Sequence, residues 1–143
     1  MKPRYLAIDI IARYLSRRDY SEWELRQRLK EKDYPEEEIA AAIDEAWQRK
    51  WLLEPEELSK KISKYLDERG KSYRYIVNHL TNKKLPLTVR DEFRELEKAR
   101  EIISKKFHWA KPYSFEQKKK VLQYLRNRTY DEPSIRMVIN EVE

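Results

Sequence analysis

Residues 12–29 read Ala12-Arg13-Tyr14-Leu15-Ser16-Arg17-Arg18-Asp19-Tyr20-Ser21-Glu22-Trp23-Glu24-Leu25-Arg26-Gln27-Arg28-Leu29, and this stretch decides the fold. One helix closes near Tyr14-Leu15 and a second opens at Ser21. The Ser21 hydroxyl can cap that helix while Glu24 reaches back, a Ser-x-x-Glu capping box. Leu25 and Leu29 then share an inner face. Upstream, Leu6, Ile10, Ile11, Tyr14 and Leu15 recur at helical spacing, with Pro3 placed near the first turn. Downstream, a third helix opens near Pro35 and presents Ile39, Ile43, Ala46 and Trp47 at intervals of three and four. Its first turn carries Glu36, Glu37 and Glu38, which suit the positive end of a helix dipole better than a metal site.

The same pattern then returns. Aligning Tyr14-Leu15 with Tyr65-Leu66 and Tyr124-Leu125 brings Ser21 onto Ser72 and Asp131, all good N-caps. Leu25 falls on Ile76 and Ile135, Leu29 on Leu80 and Ile139, and Pro35 on Pro86. The copies are offset by 51 and then 59 residues. A one-residue slip places Val89 and Phe93 opposite Ile39 and Ile43, on a long sixth helix running from about Thr88 to Phe107. That helix is expected to carry Phe93, Leu96, Ile103 and Phe107 on one side. Ser114 and Gln117 form a further capping box, opening a helix near 114–128, and another follows near 132–142. The chain is therefore read as all-α, with tandem three-helix repeats forming an elongated, curved array whose last repeat lacks its third helix. The expected divisions are 1–53 and 54–107 for two full repeats, and 108–143 for a basic connector and a partial repeat.

Composition narrows the chemistry. A single glycine among 143 residues excludes a phosphate-binding loop, a dinucleotide turn and a nucleophile elbow. The chain has no cysteine and only His79 and His108, so thiolate chemistry and histidine-rich metal sites have nothing to build on. No catalytic residue, metal or cofactor is expected, and the protein is read as a non-enzyme. The longest apolar run, Ile39-Ala40-Ala41-Ala42-Ile43, is far too short for a membrane span, and no signal peptide opens the chain. A cytoplasmic location without membrane contact is the expectation.

Charge is uneven. Net charge is +6 overall, yet residues 1–53 carry 11 basic against 11 acidic side chains, whereas residues 98–128 carry 10 against 2. Such a block favours a polyanion, because each neutralised phosphate releases counterions. Lys105, Lys106, Lys111, Lys118, Lys119 and Lys120 are the candidate phosphate contacts in it. The triple lysine is expected to face solvent. Phe107, Trp109, Tyr113 and Phe115 could stack on bases, but packing beneath the long helix is the preferred account of them. Arg17, Arg18, Lys71, Arg74, Arg126 and Arg128 fall near equivalent junctions of the copies and could form a periodic basic row. Complementarity to helix C-termini is the competing explanation. His79 and His108 are read as structural or solvated.

Residues 12–29 together with Pro35-Glu36-Glu37-Glu38-Ile39 and Lys50-Trp51-Leu52-Leu53 resemble the RecX family of recombinase regulators. Arg69-Gly70-Lys71-Ser72 resembles that family's basic-glycine junction, and Tyr124-Leu125-Arg126-Asn127-Arg128-Thr129-Tyr130 its third-copy junction, with Thr129 standing where the family has glycine. The resemblance covers roughly residues 5–142. It implies a non-enzymatic, monomeric regulator of the RecA recombinase, active in homologous recombination, DNA repair and the SOS response. Such a protein binds the RecA nucleoprotein filament along its groove and modulates its growth, ATPase and strand exchange, with weaker electrostatic affinity for single-stranded DNA. The alternative from the residues themselves is a direct nucleic-acid binder using short helix pairs as helix-turn-helix units.

Overall fold

The computed structural model describes residues 5–142, so Pro3 lies outside the described residues. Regular structure among them consists of eight α-helices and no strand: α1 Ala7–Leu15, α2 Glu22–Glu31, α3 Glu36–Gln48, α4 Pro55–Glu68, α5 Tyr73–Asn82, α6 Glu92–Lys106, α7 Phe115–Asn127 and α8 Glu132–Glu141. Local sequence sets most of the helix starts. Both capping boxes form: Ser21 Oγ accepts from Glu24 N while Ser21 N donates to Glu24, and Ser114 pairs with Gln117 in the same way. Asp91 and Asp131 cap α6 and α8 by accepting from Arg94 N and Ser134 N.

Helix ends follow a rule the composition hides. Asp33, Lys50, Gly70, Lys84 and Thr129 all adopt a positive φ, each two residues beyond the end of a helix. At four of these ends the next N–H closes back five residues, as in Tyr34 N to Leu29 O and Tyr130 N to Leu125 O. Only one of the five is glycine. The others accept a left-handed backbone that costs an L-residue about 1–2 kcal/mol.

The described chain divides into two compact units: Met1–Ser59 with Thr81–Pro86, and Lys60–Leu80 with Leu87–Glu143. In the first, Ile10 and Ile11 of α1, Leu25 and Leu29 of α2 and Ile39, Ile43 and Ala46 of α3 form an apolar core, with Tyr34 and Leu52 at its edge. Leu6 does not join it; it is the residue before α1 and is exposed, because the helix begins one residue later. Trp47 packs on the core and donates its indole N–H to Glu22 at 2.7 Å. Lys83 of the returning segment is bound to α2: its carbonyl accepts from Ser21 Oγ, and its ammonium lies 3.2 Å from Glu24.

In the second unit, Leu96, Ala99 and Ile103 of α6 pack with Val121 and Leu125 of α7 and Ile135 and Val138 of α8. Here the expected register of α6 fails. The helix starts at Glu92, not near Thr88, because the Asp91 carboxylate supplies the cap. Val89 and Phe93 consequently stand exposed instead of matching the buried Ile39 and Ile43. The buried face of α6 instead carries Glu95 and Lys98 beside Leu96 and Ala99. Lys98 is only 2 % exposed. Its ammonium lies 2.9 Å from Asp67 and 3.1 Å from Glu95, and donates to Lys71 O at 2.8 Å. Glu95 also accepts from Tyr73 N at 2.9 Å, and Arg94 reaches Asp67 at 2.7 Å. Every charge in this group is therefore paired, as burial requires. Tyr130 crosses to the same junction, donating its phenol to Gly70 O at 2.7 Å.

Candidate nucleic-acid interface

The helix periodicity that aligned Tyr14, Tyr65 and Tyr124 also aligns Arg18, Arg69 and Arg128, each four residues further along. In the second unit this spacing brings cation onto ring: Arg69 lies 4.3 Å from the Tyr65 ring centre, and Arg128 4.7 Å from that of Tyr124. In the first unit Arg18 instead covers Tyr20 at 3.5 Å, the Tyr14 and Tyr20 rings lying 5.2 Å apart.

Arg69 and Arg128 line one cavity of about 370 Å³ with Lys105 and Lys106 from the end of α6. Ile102, Gly70 and the Tyr124 ring form its apolar wall, and Glu68 and Glu101 are its two carboxylates. Lys106 also approaches the Tyr124 ring, at 5.8 Å. None of the four cations has an ion pair with a carboxylate among the described residues, so their charge faces outward. Each stands near a helix C-terminus, where the dipole favours a cation. The two explanations are compatible: the dipoles hold the cations in place, and the cavity leaves them able to meet an anion.

The other candidates differ in what occupies them. Arg18 bonds Glu24 at 2.8 Å, and Arg126 bonds Glu132 at 2.7 Å, so their charges are taken up within their own units. Burial alone would raise the Glu24 carboxyl. The hydrogen bonds from Arg18 and the Ser21 N–H, with the field of Lys83, outweigh it and hold Glu24 below the ordinary glutamate range. The Arg126 hydrogen bond likewise lowers Glu132. Lys71 lies over the Tyr75 ring at 4.8 Å, and its carbonyl serves Lys98. Arg74 is exposed beside a second cavity of the same unit, lined also by Arg90, Thr129 and Asp131. Arg17 is exposed at the end of α1, and Lys111 is exposed near Glu141.

The triple lysine is not uniform. Lys119 leans over Phe115 at 5.4 Å and Lys120 over Trp109 at 5.8 Å, but Lys118 is half-buried and engaged, contrary to the expectation of a solvent-facing trio. It sits on the flank of an α7 that turns Val121 and Leu125 inward. Of the four aromatics, Phe107, Trp109 and Tyr113 pack on the core of the second unit, Phe107 and Trp109 with ring centres 4.8 Å apart. Phe115 alone is exposed. His79 stacks on Tyr75. Among the described residues no His, Cys, Asp and Glu side chains cluster as a metal site, and no helix is long and apolar enough to cross a membrane.

Fold and site together define an all-α repeat protein with a cation-lined cavity. The family model described as RecX, first three-helix domain, matches residues 7–45, which span α1, α2 and most of α3. The regulatory protein RecX of Actinobacillus pleuropneumoniae serotype 5b is 47% identical over 47 residues, covering 33% of this chain and 31% of that one. The RecX of Haemophilus ducreyi is 43% identical over 49 residues, covering 34% and 32%. These matches span about a third of those relatives' length. The crystal structure of RecX from Lactobacillus salivarius superposes with a TM-score of 0.74 at 16% identity, covering 95% of this chain and 94% of that one. A second RecX crystal structure gives the same TM-score at 20% identity, over 94% and 71%. Residues 7–45 are thus similar to the first three-helix domain of RecX, and the fold of the described chain is that of the RecX crystal structures.

Proposed function

We propose that this protein regulates the RecA recombinase by binding the filament that RecA forms on single-stranded DNA. The observation that carries the reading is the cavity in which Arg69, Lys105, Lys106 and Arg128 converge without carboxylate partners, the last three from the most basic stretch of the chain. Four outward cations beside a tyrosine ring suit a phosphodiester backbone, to which each would contribute counterion release. The regulator is a non-enzyme that works in the cytoplasm as a monomer and needs no cofactor. Its three sequence repeats, 1–53, 54–107 and 108–143, lie along the filament groove and slow its growth, ATP hydrolysis and strand exchange. The role in recombination, repair and the SOS response follows from that partner.

Helix-turn-helix reading of duplex DNA is disfavoured by α2. Its Arg26 pairs with Glu22, and Arg28 lies near Glu31, so the cations of a recognition helix are compensated beforehand. One titration separates the readings: protein added to single-stranded DNA, to duplex DNA and to preformed RecA filaments, with ATP turnover followed. Retention on filaments with suppressed hydrolysis is expected. Tight, sequence-dependent duplex binding without RecA, or indifference to filaments, overturns the proposal. Charge reversal of Arg69 and Arg128 together is expected to weaken filament binding at least about tenfold, with a shallower salt dependence.

A further inference from the structure

Three of the large apolar side chains that the described residues leave in solvent fall within seven positions: Leu87 at 55 % exposed, Val89 at 95 % and Phe93 at 71 %. Singly exposed apolar residues need no explanation, but a run of them on one short segment does. The segment is not loose. Between Leu87 and Val89, Thr88 is fastened to the body of the second unit. Its hydroxyl meets Ser63 Oγ at 3.1 Å, and its carbonyl accepts from the Tyr73 phenol at 2.6 Å. The apolar side chains are thus presented on a fixed backbone, which removes part of the ordering cost a partner would otherwise meet.

Val89 forms one rim of a cavity of about 250 Å³, whose other rim is α4 with Lys60 and Lys64. The carboxylates at this cavity are already engaged: Asp67 by Lys98 and Arg94, Glu95 by Lys98, and Asp91 as the cap of α6. Lys60 and Lys64 have no carboxylate partner among the described residues. The surface therefore offers two uncompensated cations facing an aliphatic wall of Val89 and Ile76. The most exposed apolar side chain at this cavity, Val89, is aliphatic and offers a base no face to stack on. A peptide carrying an apolar side chain flanked by carboxylates finds both of its requirements met.

We infer that the cavity rimmed by Lys60, Lys64 and Val89, with Phe93 exposed four residues beyond Val89, docks an acidic, apolar-bearing segment of a protein, namely the protein component of the filament. The inference rests on the reading of the preceding section for that partner. It assigns protein contact to this face and leaves the phosphate contacts to the cavity of Arg69 and Arg128.

The experiment uses the full chain with two double variants, Val89→Asp/Phe93→Asp and Lys60→Glu/Lys64→Glu, all four positions being at the surface. Circular dichroism checks that helicity is retained. Retention is measured on RecA filaments and on bare single-stranded DNA, at low and moderate salt, and sedimentation velocity is run on each protein. The apolar variant is expected to lose about tenfold in filament affinity at both salts while its binding to bare DNA is unchanged. The lysine variant is expected to lose affinity for filaments mainly at low salt. Wild-type retention with both variants unaffected overturns this inference alone. Parallel loss on bare DNA would make the face a nucleic-acid surface, and loss of self-association with filament binding intact would make it a contact between copies; either overturns it. Failure of the wild-type chain to bind filaments overturns the preceding reading and this one with it.

Discussion

Helix α3 buries Ile39, Ala42, Ile43 and Ala46, whereas α6 buries Leu96, Ala99 and Ile103 together with Glu95 and Lys98. The first is held mainly by burial, which is non-directional and tolerates small shifts in register, with the Trp47–Glu22 hydrogen bond beside it. The second adds bonds that have one geometry. Lys98 must meet Asp67 of α4, Glu95 of its own helix and the Lys71 carbonyl at the start of α5 simultaneously. Desolvating such ions removes much of their net contribution to stability. What the arrangement supplies is position: it fixes the α4–α5 junction that carries Arg69 and Gly70, and it underlies the cavity rimmed by Lys60 and Lys64. The neutral first unit can be merely stable. The second, which carries both proposed surfaces, is aligned.

The sharpest way to break that contrast is Lys98→Ala. Removing the cation leaves Glu95 buried without its partner, and a loss of about 3–5 kcal/mol is expected in urea unfolding. Hydrogen exchange should rise first at the ends of α4 and α6. The double change Glu95→Leu/Lys98→Met should recover most of the stability, while the proposed filament binding stays impaired because the junction is no longer fixed. A Lys98→Ala protein as stable as the wild type would show that the network does not hold this unit. In the first unit, Ile39→Ala should cost about 3 kcal/mol by leaving a cavity, with faster exchange in α1, α2 and α3.

A smaller effect tests the two left-handed turns that follow α4 and α7. Gly70→Ala should destabilise by about 1–2 kcal/mol, since φ is +76° and a Cβ would lie 3.3 Å from Ile102. Thr129→Gly should shift the denaturant midpoint much less. Relief of its backbone is offset by loss of the 2.7 Å hydrogen bond to Ser72. The slightest effect is on acid stability. Burial would raise Asp67, but hydrogen bonds from Lys98 and Arg94 outweigh it and hold the carboxyl below the usual aspartate value. Its stabilisation is therefore complete above about pH 4 and is lost as pH falls through the lowered value. Urea midpoints at roughly pH 7 and pH 3 should differ less in Lys98→Ala than in the wild type.

What the sequence disclosed was local. Ser21 with Glu24, and Ser114 with Gln117, announce helix starts because a cap needs only residues three apart. Helix stops at Asp33, Lys50, Lys84 and Thr129 were invisible, since nothing but tertiary packing marks a non-glycine residue for a left-handed backbone. Spacing alone placed Val89 and Phe93 inside, because the cap at Asp91 that resets α6 looked like one more charge. Nothing in the spacing marks Glu95 and Lys98 as buried, because Asp67 and the Lys71 carbonyl that complete their pairing lie elsewhere in the chain. Arg69 is missing from the candidate contacts although it stands in register with Arg18 and Arg128, and weighing the repeat alignment for cations as it was weighed for apolar residues would have found it. The resemblance to RecX pointed to the fold, whereas the convergence of Arg69, Lys105, Lys106 and Arg128 required coordinates.

The segment Thr81–Pro86 belongs to the first unit although it follows α4 and most of α5 in the chain. Ser21, Glu24 and Ser59 find partners there, in the Lys83 carbonyl, the Lys83 ammonium and the Pro86 carbonyl. During synthesis, then, the amino-terminal unit cannot complete itself as it leaves the ribosome. Its last hydrogen bonds wait for Pro86, by which time α4 and α5 have already been made. A nascent chain paused earlier would leave Ser21 and Glu24, at the start of α2, without these partners.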